Sequence, residues 1–316
     1  MSENPQILNE YLDYLAVVKA FSKTSIETYN INLLQFFEFL KEYLDINQEV
    51  KDFNKFILLQ VKESDIIAYM VYCNYSKDNN PYTREKKITV IRGLYDWLLN
   101  TFKNDYSINP TSNIGNIKKV VRLPKYLNLE QAKQIQTVFT TENSKYPIRN
   151  NAIICLFLST GLRVSELISI KIGDIDFENK SINIVGKGNK ERIVFFSDFC
   201  KDKLEKYIKT RNVSKDDYLF VNNKNTKLAR NTINAICKNA YKLIGIDEDK
   251  HFSPHTLRHT SATIMYQYVK PDTLLLKKFL GHSSIASTQI YTHIHNEKVK
   301  NAVESNPLSN FRKEGM

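Results

Sequence analysis

The pattern of apolar residues changes along this 316-residue chain, and the changes divide it into two parts. Up to about residue 108, apolar residues recur at the three- and four-residue spacing of helices. Between residues 109 and 124 this periodicity lapses and basic residues accumulate. Beyond residue 125 helical stretches return, now together with short stretches that alternate as strands do. Because the chain also exceeds the usual size of one domain, the sequence predicts two domains joined by a linker.

Four helices are predicted in the first part, and together they would form a small bundle. The second of them is expected to open at a capping box that runs from Thr24 to Glu27. Pro81 is expected to begin the fourth, since proline suits the first turn of a helix. The four stretches lie around residues 11–18, 24–40, 64–73 and 81–98.

The second part is predicted to be mainly helical, with a small antiparallel sheet. Asn128 is expected to cap its first helix. Further helices are predicted at residues 150–159, 164–170, 203–209 and 231–244, and strands at residues 175–177, 181–185 and 192–196. The predicted fold class is therefore mainly α with a small antiparallel β-sheet in the second of two domains.

Charge is distributed unevenly between the two parts. The net charge is +11, yet residues 1–110 hold 12 Lys and Arg against 15 Asp and Glu. The remaining residues hold 33 basic against 19 acidic side chains. A basic excess confined to one part is expected if that part binds a polyanion, although a merely basic domain would look the same.

Composition also bears on compartment and on metal binding. The four cysteines are scattered without the paired spacing of zinc or redox sites, and we expect them to be reduced structural thiols. The apolar runs are too short to span a bilayer, and the first residues lack the pattern of a signal peptide. We therefore expect a cytoplasmic protein without a membrane segment, and no metal site or cofactor.

Polar groups gather in one stretch that runs from His255 to Tyr291. Ser253 and Pro254 can start a helix there, which would place His255 and Arg258 on one face of its first turn. Free backbone N–H groups at such a helix start favour an anion such as a phosphate. Tyr291 follows nine residues after His282. Singly these features are weak, because Tyr291 is one of 18 tyrosines and Gly281 would equally suit a helix C-cap.

Two further groups precede this stretch. Arg163 lies beside a break at Gly161, with Glu166 three residues on, so that the carboxylate can orient the guanidinium unless the two form a plain surface pair. Lys187 lies between two glycines in a predicted hairpin turn, where the backbone can approach a phosphate chain.

The ordered motifs resemble those of the tyrosine recombinases, the family of phage integrases and Xer-type recombinases. The resemblance rests on residues 160–167, 186–190, 255–259, 280–282 and on Tyr291, and it spans about residues 123–303. The four-helix region is similar to the core-binding domain of the same family. The resemblance implies attack of Tyr291 on a DNA phosphodiester, with a 3′-phosphotyrosyl intermediate and no need for ATP or a metal.

The resemblance also assigns roles to individual residues. It implies that Arg163, Arg258 and His282 stabilise the charge on the reacting phosphate. It makes Lys187 the general acid for the departing 5′-oxygen and His255 the base for the tyrosine proton, with Glu166 in support. Candidate DNA contacts are the basic residues of the linker and hairpin, namely Lys118, Lys119, Arg122, Lys125 and Lys190.

The domain plan that follows has four segments. Residues 1–108 would form a SAM-like core-binding DNA-binding domain, residues 109–124 a basic linker and residues 125–304 the catalytic domain. Residues 305–316 would be a tail that either docks into a neighbouring protomer or frays. The expected partner is double-stranded DNA with paired recombination sites, bound by a homotetramer or together with a related recombinase. Integration, excision and dimer resolution all fit this plan.

Two other functions compete with site-specific recombination. A type IB topoisomerase uses a similar set of residues to relax supercoils, but the all-helical first part and the Leu-Gly-His motif ending at His282 favour the recombinase. A catalytically silent DNA-binding relative is the other alternative. The chain departs from common family patterns at Ser261, at residues 269–271 and in its tail, which bears on packing and tail exchange more than on chemistry.

Overall fold

The computed structural model describes residues 4–103, 108–117, 125–186, 191–246, 252–270 and 272–281. The chain divides into two compact units, Met1–Val121 and Arg122–Met316. Each unit contains its own hydrophobic core.

Helices alone make up the described secondary structure of the first unit, as predicted. Its α-helices are α1 (Gln6–Val17), α2 (Lys23–Tyr43), α3 (Lys55–Leu59), α4 (Glu63–Tyr75) and α5 (Pro81–Thr101), with a 3₁₀ turn at Val50–Asp52. Pro81 is the first residue of α5, and the side chain of Asn80 before it accepts a hydrogen bond from the Thr83 N–H. The short helix α3 was not predicted.

The predicted capping box at Thr24 to Glu27 is wrong, because α2 starts earlier. Ser22 is the N-cap, with an extended backbone (φ −67°, ψ 151°), and its hydroxyl accepts a hydrogen bond from the Ser25 N–H at 3.3 Å. Thr24 is already inside the first turn, and its carbonyl accepts a hydrogen bond from the Thr28 hydroxyl at 2.9 Å. Two serine or threonine residues so close together left the start of the helix ambiguous in the sequence.

Large aromatic side chains fill the core of the first unit. The rings of Tyr11 and Trp97 have centroids 5.4 Å apart, and those of Phe36 and Tyr69 are 5.1 Å apart. Tyr11, Phe36 and Tyr69 are almost completely buried. The apolar positions predicted at helical spacing thus face one shared core.

Residues 108–117, at the start of the predicted linker, are hydrogen-bonded to α5. The Asn109 amide donates to the Asp96 carboxylate at 2.7 Å, and the Ile117 N–H donates to the Glu85 carboxylate at 2.8 Å. Arg92 donates to the carbonyl of Ile114 at 2.9 Å. This part of the predicted linker is therefore held by the first unit.

The second unit contains helices and one small sheet, as the sequence predicted. Its α-helices are α6 (Leu129–Gln134), α7 (Pro147–Thr160), α8 (Val164–Leu167), α9 (Asp198–Ile208), α10 (Arg230–Leu243), α11 (Pro254–Ile264) and α12 (Thr273–Leu280). A π-helical turn, Met265–Val269, follows α11, and 3₁₀ turns lie at Ile135–Thr137 and Ile172–Asp174. None of the helices described in either unit combines the length and apolar character needed to cross a membrane.

Three antiparallel strands form the sheet, in the order β1 (Ile175–Asp176), β2 (Ser181–Val185) and β3 (Glu191–Phe195). In the β2–β3 pairing, Ile184 faces Arg192 and Ile182 faces Val194. Ile182, Ile184 and Val194 are buried, so these positions form the inward face of the sheet.

Helix α8 is shorter than predicted, since it ends at Leu167 rather than near residue 170. The carbonyl of Ile170 instead accepts a hydrogen bond from the Leu219 N–H at 2.8 Å. The apolar side chains that follow Leu167 therefore pack from a non-helical segment. The hydrogen bond to Leu219, a residue far along the chain, takes the place of a further helical turn. Helix α7, in contrast, lies at the centre of the core, with Ile153, Ile154 and Phe157 fully buried.

Candidate active site

The first candidate arginine lies at the junction between α7 and α8. Helix α7 ends at Gly161, whose φ of 61° is left-handed and suits glycine. A Cβ atom there would come within 3.1 Å of the Phe279 ring. Two residues later, Arg163 is the N-cap of α8 with an extended backbone (φ −79°, ψ 154°). The chain reversal at Gly161 thus presents the Arg163 side chain at the end of the central helix.

Arg163 and Glu166 are joined by two hydrogen bonds. The Arg163 Nη1 donates to the Glu166 Oε1 at 2.9 Å, and the Arg163 backbone N–H donates to Oε2 at 2.7 Å. The side chain of Arg163 is 33% exposed, whereas that of Glu166 is 3% exposed. Glu166 therefore holds the guanidinium from inside the protein while the arginine keeps a face open to solvent.

The carboxylate of Glu166 also receives a second arginine. Arg192 on β3 donates from Nη1 to Oε1 at 2.8 Å and from Nη2 to Oε2 at 2.9 Å. Burial acts to raise the pKa of Glu166, but the hydrogen bonds from Arg192 and Arg163 and the charge of Arg192 outweigh it, and the pKa lies below its ordinary value. Glu166 is therefore ionised between two cations.

The second candidate arginine, Arg258, is buried on α11. Its Nη1 donates to the carbonyl of Gly161 at 2.6 Å, and its Nη2 donates to the carbonyl of Leu280 at 2.6 Å. These bonds connect α11 with the ends of α7 and α12. Short, charge-assisted bonds of this kind fix the direction of a guanidinium more firmly than packing alone.

Both arginines converge on the C-terminal end of α12. Arg258 binds the carbonyl of Leu280, and Arg163 Nη2 donates to the carbonyl of Gly281 at 3.2 Å. The carbonyls at a helix C-terminus carry partial negative charge and favour cations. Gly281, with φ of 61°, caps the helix in the left-handed conformation that the sequence indicated.

Helix α11 begins where the sequence predicted, with Ser253 as N-cap and Pro254 as first residue. The Thr256 hydroxyl accepts a hydrogen bond from the Ser253 N–H at 3.2 Å, as in a capping box. His255 and Arg258 both lie in the first turns of this helix, as expected from their spacing.

Histidine protonation at the site is disfavoured. Partial burial, followed by the charges of Arg258, Arg230 and Arg163, lowers the pKa of His255 below 6.5. Burial, together with His255 and Arg258, lowers the pKa of His259 to about 4. Near neutral pH the imidazole of His255 is therefore uncharged and able to accept a proton.

Several predicted site residues lie outside the described residues. Of the catalytic candidates these are Lys187, His282 and Tyr291, and of the DNA-binding candidates Lys118, Lys119, Arg122 and Lys190. Lys125 is described and exposed. Two residues after it, the Leu127 N–H donates to the Thr260 hydroxyl of α11 at 2.9 Å. The structure thus brings together Arg163, Glu166, Arg258 and His255 from the predicted set.

Sequence reasoning missed two charged residues at the site. Arg192 was predicted only as part of a strand, and Arg230, the first residue of α10, only as lying near a helix start. A signal for Arg192 was present, because Arg192 lies two residues before the apolar Val194 and therefore on the same face of β3. A charged side chain on the inward face of a strand indicates a buried partner. No comparable signal in the sequence points to Arg230.

The candidate site thus places two arginines at the end of one helix in a mainly helical unit with a small antiparallel sheet. The chain matches the phage integrase family over residues 125–298 and the phage integrase N-terminal SAM-like domain over residues 8–101. It belongs to the phage integrase family, the tyrosine recombinases, whose members cut DNA and transfer strands through a tyrosine nucleophile.

Similar proteins align over nearly the whole chain. Tyrosine recombinase XerC of Caldanaerobacter subterraneus subsp. tengcongensis is 35% identical over 316 aligned residues, covering 96% of this chain and 88% of the relative. Tyrosine recombinase XerD of Rickettsia prowazekii is 31% identical and covers 96% of this chain and 97% of the relative. The chain is thus similar to both XerC and XerD recombinases.

A solved structure with the same fold is that of XerH site-specific recombinase bound to a palindromic difH substrate in a post-cleavage complex. It is 25% identical, with a TM-score of 0.72, and the match covers 89% of this chain and 80% of that one. The Tn1549 transposon integrase in complex with circular intermediate DNA has a TM-score of 0.72 at 17% identity, a likeness of fold.

Proposed function

We propose that this protein is a site-specific DNA recombinase that cuts and rejoins double-stranded DNA through a 3′-phosphotyrosyl bond at Tyr291, without metal or ATP. The proposal rests on the convergence of two arginines at the end of α12, where Arg163 donates to the carbonyl of Gly281 and Arg258 to that of Leu280. His282 follows these residues directly in the chain. Two guanidiniums held at one point are suited to a phosphate with charge on two non-bridging oxygens.

The reaction is a transesterification. The phenolic oxygen of Tyr291 attacks phosphorus, a P–O bond to tyrosine forms, and the P–O bond to the 5′-oxygen of the next nucleotide breaks. The phenolic proton passes to a base, and a proton from an acid reaches the departing 5′-oxygen. Since one phosphoester replaces another, the energy of the bond is kept for rejoining.

Arg163 and Arg258 act in this scheme by binding the non-bridging oxygens, with His282 as a third donor. A guanidinium carries five N–H donors in a fixed plane, so an arginine that is held by protein acceptors can still offer N–H groups to a phosphate. The open face of Arg163 supports this role. The negative charge that develops on the pentacoordinate phosphate is then stabilised by donors that are already in position.

Proton transfer falls to His255 and Lys187. His255 is uncharged near neutral pH because burial and the neighbouring arginines lower its pKa, which leaves it free to take the tyrosine proton. Lys187 is assigned as the acid because its stretch matches the lysine hairpin of the family. Glu166 supports Arg163 and takes no part in proton transfer, since two arginines keep it ionised.

Binding is proposed to involve both units and more than one protomer. Residues 1–108 would grip the DNA, with residues 109–124 as linker and residues 125–304 as catalytic domain. Lys118, Lys119, Arg122, Lys125 and Lys190 would contact phosphates, and paired sites would be joined in a homotetramer. The post-cleavage complex of XerH with its difH substrate supports a DNA substrate of this kind.

The test is capture of the covalent intermediate. DNA segments bound by Tyr291→Phe are first recovered from the source genome. They are then made into duplexes nicked near the centre, from which a cut strand diffuses away and prevents rejoining. Wild type is expected to yield an SDS-resistant protein–DNA adduct in the presence of a metal chelator.

Tyr207→Phe is a matched control, because Tyr207 is a buried tyrosine of the same unit at which no chemistry is proposed. Adduct from wild type and Tyr207→Phe but not from Tyr291→Phe supports the proposal. Bound duplexes that give no adduct with wild type at any nick position would overturn it in favour of DNA binding without cleavage.

A further inference from the structure

Arg192 makes the most complete ion pair in the described part of the second unit. Both of its Nη atoms bond the Glu166 carboxylate, at 2.8 and 2.9 Å. The side chain of Arg192 is 18% exposed and that of Glu166 is 3% exposed. A bidentate pair with so little solvent is geometrically fixed, unlike the exposed pairs that contribute little.

Glu166 is at the same time the partner of Arg163. Its Oε1 accepts from both guanidiniums, and its Oε2 accepts from Arg192 and from the backbone N–H of Arg163. The position of the carboxylate therefore depends on Arg192, and the position of the Arg163 side chain depends on the carboxylate.

Gly281 closes this set of contacts into a ring. A Cβ atom on Gly281 would come within 2.7 Å of both Cζ and Nε of Arg192, so the guanidinium lies directly against the glycine backbone. The carbonyl of Gly281 in turn accepts from Arg163. Contacts thus run from Arg192 to Glu166, to Arg163, to Gly281 and back, and they join β3, α8 and the end of α12.

Charge gives Arg192 a second effect. A single carboxylate facing Arg163 alone would cancel its charge and compete with a phosphate for the same guanidinium. With Arg192 present, one negative and two positive side chains leave the cluster at +1. Removing Arg192 would also leave a nearly buried carboxylate with one fewer partner, which is costly.

We propose that Arg192 is a positioning residue for DNA cleavage, which holds Glu166 so that Arg163 is aimed at the reacting phosphate, and which leaves the cluster of Arg163, Glu166 and Arg192 with a net positive charge. The inference deepens the proposed function and rests on it. Arg192 lies on β3, two residues after the stretch 187–190. Its contact with Glu166 therefore also anchors the strand that follows Lys187 in the chain.

Single-turnover cleavage separates this role from a structural one. The variants are Arg192→Met, Glu166→Gln and the double variant, with protein in excess over a nicked duplex. We expect Arg192→Met to lower the rate of adduct formation by as much as about 10²-fold, the effect of a misplaced catalytic group. The Kd for the duplex should stay close to that of wild type, because Arg192 acts through Glu166.

The double variant gives the sharpest readout. Glu166→Gln removes the negative charge that Arg192 balances, so Arg192→Met/Glu166→Gln should cleave faster than Arg192→Met alone. In the Glu166→Gln background, adding Arg192→Met should change the rate little. This second comparison avoids an unpaired buried carboxylate, and it decides the question even if Arg192→Met alone does not fold.

Arg211→Met is the matched control, since Arg211 also bonds carbonyls within the second unit, those of Tyr218 and Leu219. At a temperature below its Tm, Arg211→Met should cleave at the wild-type rate. The proposal is overturned if folded Arg192→Met cleaves at the wild-type rate, or if adding Arg192→Met slows the Glu166→Gln protein by about 10²-fold. A wild type that forms no Tyr291-dependent adduct would instead defeat the proposed function.

Discussion

Arg163 and Arg258 are held by different means although they are proposed to bind the same phosphate. Arg258 is buried and donates to two backbone carbonyls, so its direction is set by the ends of two helices. Arg163 is partly exposed and depends on a carboxylate that a further arginine shares. Arg163 is thus held by a carboxylate side chain in addition to the carbonyl of Gly281, which makes it more sensitive than Arg258 to substitution of neighbouring side chains.

Removing Arg163 should impair chemistry more than binding. We expect Arg163→Ala to slow adduct formation by roughly 10²-fold or more, the usual cost of deleting a donor that stabilises transition-state charge. The rate is measured in single turnover on a duplex saturated with protein. Arg211→Ala serves as control, and an unchanged rate in Arg163→Ala would remove Arg163 from the mechanism.

The pH dependence of cleavage should reflect the state of His255. Only the neutral imidazole can accept the tyrosine proton, so the rate rises with pH as His255 loses its proton. Because burial and the neighbouring arginines lower the pKa of His255 below 6.5, the midpoint of the rise should lie below pH 6.5, with a plateau at higher pH. The measurement is the single-turnover rate from about pH 5 to about pH 8. A midpoint at or above pH 6.5 contradicts His255 as the base.

Gly281 should tolerate no side chain. In Gly281→Ala the new Cβ would meet the Arg192 guanidinium at 2.7 Å, and the left-handed φ of 61° disfavours alanine as well. We expect slower adduct formation together with a lower Tm. Gly245→Ala is a control with a similar left-handed φ of 75° and no atom within 4 Å of the added Cβ. Equal cleavage defects in both variants would show that backbone strain, not the Arg192 contact, is responsible.

Among the elements of the second unit, it is the ends of helices that position the described residues of the candidate site. Gly161 ends α7, Arg163 begins α8, His255 lies in the first turn of α11, and α12 ends at Leu280 and Gly281. Helix termini leave backbone groups without intrahelical partners, so they can accept from arginines or receive an anion. The helices themselves are secured by a core built around α7.

Much of this arrangement could be predicted from the sequence, because it depends on local signals. The proline at the start of α11, the glycines at 161 and 281 and the alternation in β2 and β3 all correspond to observed elements. The end of α8 could not be predicted, since it depends on pairing between Ile170 and Leu219. The contact of Arg192 with Glu166 joins residues 26 apart in the chain, and no local pattern fixes such a partner.

The N-cap of α12 offers a test at this scale. The Asp272 carboxylate accepts a hydrogen bond from the Leu275 N–H at 2.6 Å. Asp272→Ala should lower the free energy of unfolding by about 1 kcal/mol, whereas Asp272→Asn retains a capping oxygen and should lose less. Urea denaturation measures both. If the two variants lose equally, the loss comes from the charge rather than the cap.

At the scale of the whole molecule, the chain contains two units with separate cores. The first core is rich in aromatic rings, and the second surrounds α7 and the sheet. A basic excess belongs to the second part of the sequence, while residues 1–110 hold slightly more acidic than basic side chains. Affinity for DNA phosphates should therefore depend chiefly on the second part.

Separate cores predict separate effects on stability. Leu40 and Ile153 are each fully buried, one in each core. Leu40→Ala should lower the stability of the first unit by roughly 2–5 kcal/mol, and Ile153→Ala should do the same to the second. Hydrogen exchange resolved by peptide measures each unit in the full-length protein. Equal loss of protection in both units from either substitution would show that they unfold as one.

Cleavage by Tyr291 is tested most directly by identifying the residue that becomes joined to DNA. Adduct formed on a nicked duplex is trimmed with nuclease, digested with protease and analysed by mass spectrometry. We expect a single modified peptide in which Tyr291 carries the 3′-phosphate of the remaining nucleotide. Modification of any other residue, or an adduct that persists in Tyr291→Phe, would contradict it.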